Sequence, residues 1–198
     1  MQLKKLIVSL LAVTLSTVAF AQSTPQSENP LEALSQQLSV RTDEMTKAFE
    51  QDVLPPMKGL ISVVTEYANS GQENLTPQQE EAATAHLNQV VQALDNKIVQ
   101  PIIAELDDEE LEEVAQMFAF TAFTLQFARK KIDQTEYQTA ILELSEQKLT
   151  PEDSYNLMIG SSTEIAIAHF VGKRLISAEE DDILEQIFFP KQTEEEEQ

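Results

Sequence analysis

The sequence predicts an all-α protein, a single globular bundle of about six to seven helices with a buried, phenylalanine-rich central helix. Three observations carry this prediction. Helix-start signatures recur along the chain, each a Ser, Thr, Asp or Asn followed three residues later by an acid or amide. Behind them, apolar residues return at three- and four-residue spacing, and no run shows the strict alternation of a strand. Only four glycines punctuate 198 residues.

The chain opens on an address label. Lys4 and Lys5 precede an apolar run from Leu6 to Leu15, and Ala19-Phe20-Ala21 supplies the small-residue ending that signal peptidase reads. The apolar run is shorter than the roughly 20 residues a spanning helix needs, so residues 1–21 read as a secretory signal peptide cleaved between Ala21 and Gln22. Residues 22–28 form a polar leader, 29–190 a single helical domain, and 191–198 an acidic tail too charged to bury. The expected location is the periplasm of a Gram-negative bacterium, or outside the cell, with no stable membrane insertion after cleavage.

Within the domain, Asn29-Pro30 caps a first helix carrying Leu31, Leu34, Leu38, Met45, Phe49 and Val53, which Pro55-Pro56 should end or bend. A second carries Met57, Leu60, Ile61 and Val64 and stops near Gly71. Thr76-Pro77 opens a third, with the stripe Leu87, Val90, Val91, Leu94 and Ile98, which ends or kinks before Pro101. Asp107 caps a fourth, apolar nearly all round from Val114 to Ala128; at fifteen residues it suits a bundle centre better than a membrane. Asp133 opens a short fifth helix with Tyr137, Ala140, Ile141 and Leu144. Thr150-Pro151 opens a sixth, interrupted by Gly160-Ser161-Ser162-Thr163, and Ser177 a short last one. Acids in these first turns oppose the positive end of the helix dipole, so much of the acidity has a local cause.

Composition excludes more than it selects. The chain has no cysteine, which removes disulfides, thiolate zinc sites and thiol catalysis. Thirty-four acidic against 13 basic side chains give −21, and loss of Lys4 and Lys5 with the signal makes it −23. Such a surface repels nucleic acid. It favours a basic protein partner, while bundle grooves lined by Phe and Met suit a hydrophobic partner or an apolar ligand. No cofactor is implied.

Candidate chemistry is sparse. His86 reads as a half-exposed surface imidazole, and His169 as a core histidine bonded to a backbone or hydroxyl group. The sharper reading pairs His169 with Glu164, the one acid between Leu157 and Leu175, as the acid–base site of a hydrolase or lyase. Five residues apart, the two stand about 140° apart around a helix, so a third group from elsewhere is needed. Serine catalysis lacks the G-x-S-x-G elbow. The acid runs have neither calcium-loop nor di-iron spacing, so no metal site is predicted, and Glu179-Glu180-Asp181-Asp182 reads as a solvated helix start. Met117, Phe118, Phe120, Phe123 and Phe127 are the candidate ligand or partner groove. Three roles remain: a non-enzymatic binding or chaperone-like protein, an acid–base enzyme around Glu164 and His169, and an envelope-associated structural protein using the Phe-rich helix.

Overall fold

A computed structural model describes residues 43–72 and 74–189. The signal segment, the polar leader, the cap at Asn29 and the acidic tail lie outside the described residues. Six helices make up the rest: α1 (residues 43–70), α2 (residues 77–103), α3 (Asp108–Ala128), α4 (Gln134–Glu146), α5 (Pro151–Gly172) and α6 (Ala178–Phe188). No strand occurs among the described residues.

The helix starts form as the spacing predicts. Thr76, Asp107, Asp133, Thr150 and Ser177 each accept from the backbone N–H three residues on, and the side chain of that residue accepts from the cap's own N–H. These reciprocal bonds satisfy donors that a helix end leaves without partners. Gly71 ends α1 in the left-handed region at φ 67°, a conformation glycine adopts without a steric penalty.

The prolines do not end the helices, one of the two outcomes the sequence suggests for them. Pro55-Pro56 and Pro101 each follow a single wide turn, Phe49–Val53 and Asp95–Val99. There the N–H of Leu54 reaches the carbonyl of Phe49, and that of Gln100 the carbonyl of Asp95, five residues back. A π-turn of this kind changes the local spacing of carbonyls just where the proline ring would clash with an ordinary turn. The helix therefore continues, and two predicted helices fuse into α1 while α2 runs on to Ile103. Both wide turns pack against α5. Glu50 of the first is bonded to His169 near one end of that helix, and Asp95 of the second to Tyr155 near the other.

The centre of the bundle is the pair α3 and α5, the most extensive helix contact in the fold. On α3, Ala115, Ala119 and Ala122 lie on one stripe, and these small side chains let the neighbouring backbone come close. On α5, all seven residues from Ser161 to Ile167 are buried. The small-residue stretch thus packs inside an unbroken helix. Around this pair, Phe49, Val53, Met57, Val90, Leu94, Ile98, Phe118, Met158, Phe170 and Leu184 form one continuous core. α1 lies along α2, where a Cβ on Gly59 would come within 2.3 Å of the His86 ring. His86 is half-buried, as expected, and packs over a glycine with its Nδ1 enclosed. α4 is peripheral: it packs chiefly against α3, and none of its residues is fully buried.

Candidate functional site

The first candidate is a charged cluster built where the C-terminal end of α3 meets the interior of α5 and the helix α6. α3 closes through Lys130 at φ 62°, with the N–H of Lys131 donating to the Gln126 carbonyl five residues back. That left-handed closure swings Arg129 and Lys131 inward toward α5 and α6. Arg129 is bonded to Glu164 of α5 and to Asp181 of α6, and it reaches Glu185 at 3.3 Å. Lys131 lies 2.9 Å from Asp181 and 2.6 Å from Asp182. Gln126 donates to both Glu164 and Glu185 at 3.4 Å.

Burial and pairing pull these groups in opposite directions. Burial pushes the Glu164 carboxyl up to about 8, against the attraction of Arg129. Burial likewise raises Glu185. Burial alone lowers Arg129, but the Glu164 and Asp181 carboxylates outweigh it and hold the guanidinium above its ordinary value. Lys131 is raised in the same way by Asp182 and Asp181. The expectation that Asp181 belongs to a solvated helix start is corrected: it is 5% exposed and faces two cations. The first turn of α6 serves two purposes, with Ser177 and Glu180 closing the cap and Asp181 clasping α3.

The sequence-predicted site residues are distributed rather than gathered. Glu164 is fully buried and bonded to Arg129 and Gln126. His169 is bonded instead to the Glu50 carboxylate at 3.0 Å, with its ring between those of Phe49 and Phe170. That corrects the backbone or hydroxyl partner expected for it. The two residues are anchored to different partners, and a carboxyl with no solvent exposure cannot meet a substrate unless the bundle opens. Among the described residues, no group of His, Asp and Glu side chains is placed to hold a metal ion.

The phenylalanines divide by face. Phe118 is sealed in the core, Met117 and Phe123 are half-buried, and Phe120 and Phe127 remain 47% and 42% exposed. Phe127 stacks on Tyr137 of α4 at 5.1 Å, and the Tyr137 hydroxyl lies 3.3 Å from that of Thr124. On the far side of the bundle, α1 and α6 border an open groove of about 720 Å³ lined by Lys58, Ile61, Thr65, Glu66, Glu179 and Ile183. No helix among the described residues is long and apolar enough to cross a membrane.

None of Arg129, Lys131, Asp181 and Glu185 has a site role in the sequence reading, where Asp181 belongs to a solvated helix start and Arg129 and Lys131 are dipole partners at the end of α3. Their usable signal was the pair of basic residues directly after an apolar helix, opposite the one acid inside another. Comparison of the chain with known protein families, curated proteins and solved structures found no match.

Proposed function

We propose that this chain is an exported, non-enzymatic interaction protein that acts by offering a helical surface to another polypeptide. The observation that carries the reading is the outer face of α3. Phe120 and Phe127, two phenylalanines of the innermost apolar segment, are left partly open to solvent, and the helix beside them, α4, covers Phe127 only in part, through Tyr137. Large aromatic side chains held in place on a rigid helix are the usual anchors of protein recognition. Export is supported by the charged start, short apolar run and Ala-Phe-Ala ending of residues 1–21. The enzymatic alternative draws no support from Glu164 and His169, whose side chains have separate partners and one of which is sealed from solvent.

The test uses protein recovered from the osmotic-shock fraction, expected to begin at Gln22. Light scattering of a chemically unfolded basic client is followed with and without it. Suppressed scattering, together with retention of the protein on immobilised client, is the expected result. Well-folded protein that does neither overturns the reading.

A further inference from the structure

We infer that the outer face of the α3–α4 hairpin docks a basic amphipathic helix, with Phe120 and Phe127 receiving its apolar stripe and Glu109 and Glu113 its cations. This rests on the binding role proposed above and assigns it a surface and a class of partner.

Helical geometry aligns the four residues. Positions 109, 113, 120 and 127 fall within about 40° of arc on α3, and all four are exposed. Acids occupy the N-terminal part of this line and aromatics the C-terminal part. Successive members from 113 to 120 to 127 lie about 10.5 Å apart, two helical turns. α4 and the residue that follows it steady the line at its middle and at its C-terminal end. Tyr137 stacks on Phe127, and the Gln116 side-chain amide donates to the Gln147 carbonyl at 3.2 Å. An aromatic already fixed by stacking loses little freedom when a partner arrives.

Charge selects the occupant. Residues 107–149 contain ten acidic and four basic side chains. Two of the four cations, Arg129 and Lys131, are turned inward onto α5 and α6, so the hairpin's own exposed cations are Lys130 and Lys148. A second copy of the chain would bring one acidic hairpin against another, and anionic lipid or nucleic acid would be repelled. A small apolar molecule finds a convex line here, not the enclosed cavity such ligands need. A helix with apolar residues two turns apart and Lys or Arg one to two turns beyond them meets both halves of the line.

The test is fluorescence anisotropy of a labelled helical peptide of about three heptads, with leucines on one face and lysines flanking them, titrated with the protein. A control peptide keeps the leucines and replaces every lysine by glutamate. Expected are saturable binding of the lysine peptide that weakens with added salt, and no binding of the glutamate peptide. Affinity should fall at least tenfold in Phe120→Ser/Phe127→Ser and severalfold in Glu109→Gln/Glu113→Gln, with unchanged far-UV circular dichroism. Equal binding of both peptides, undiminished binding by the phenylalanine variant, or no binding by the folded protein overturns the inference. So does a concentration-dependent dimer that the phenylalanine variant abolishes, since it assigns the face to a second copy. Client protection retained by that variant removes this surface but leaves the binding role; absence of protection by the unaltered protein removes the role itself.

Discussion

Glu164 decides how the charged cluster responds to pH. Its carboxyl is fully buried, and burial lifts it to about 8 even beside Arg129. A carboxyl raised above its unfolded value stabilises the fold fully only below that ordinary value, near pH 4.5. The contribution is lost as pH climbs toward about 8, because the folded state then resists ionisation while the unfolded chain does not. Glu164→Gln keeps the shape and the neutral form. Relative to the unaltered protein, the variant should therefore gain stability between pH 5 and pH 8.5. The gap should widen by at least about 1 kcal/mol, roughly 2–4 °C in Tm for a domain of this size. Thermal melts of both proteins across that range check it, and the comparison cancels groups the two share. A gap that narrows with rising pH would mean that Glu164 acts mainly as the anion of a salt bridge with Arg129.

At the scale of elements, stability divides between helices that pack on many neighbours and one that does not. α5 is enclosed by α3, α6, α1 and α2, whereas α4 packs chiefly on α3. Both begin with the same kind of reciprocal cap, at Thr150 and Asp133. Removing either cap costs about 1 kcal/mol, but the cost should appear in different observables. Asp133→Ala should speed amide exchange across α4 and leave the rest of the bundle protected, because α4 opens locally. Thr150→Ala should lower the melting temperature of the whole domain, because α5 cannot loosen without the core. Equal, global effects of both substitutions would contradict this division. The caps were legible in the sequence because a cap and its partner lie three residues apart. The π-turns were not: whether a carbonyl is met four or five residues on depends on how the chain is pressed against α5, and proline alone reads as a stop. The cluster was hidden for a related reason. Arg129 meets Glu164 across 35 residues and Asp181 across 52, and only the spatial order of α3, α5 and α6 brings them together. The phenylalanine run marked α3 as central, but which of Phe118, Phe120, Phe123 and Phe127 would be sealed depended on where α4 settles.

For the molecule as a whole, the charges of the described residues are sorted by depth. Arg129 and Lys131 lie inside, paired with Glu164 and Asp181, while caps and exposed faces carry most of the remaining described acids. Two electrostatic effects therefore coexist with opposite salt responses. Attraction inside the cluster is shielded from water and only weakly screened. Repulsion among surface acids extends over about a Debye length, roughly 10 Å at 0.1 M salt, and is screened strongly. The repulsive effect should dominate, so the melting temperature should rise with ionic strength. Sodium and potassium chloride should act alike, since nothing in the described acid clusters is arranged to hold a particular cation. Screening that stabilises the fold should at the same time weaken docking of a basic helix on α3, giving opposite salt slopes for stability and binding in one protein. Melting curves and peptide titrations over the same salt series measure both. A melting temperature that falls with salt would show that exposed ion pairs, rather than acid–acid repulsion, govern the surface.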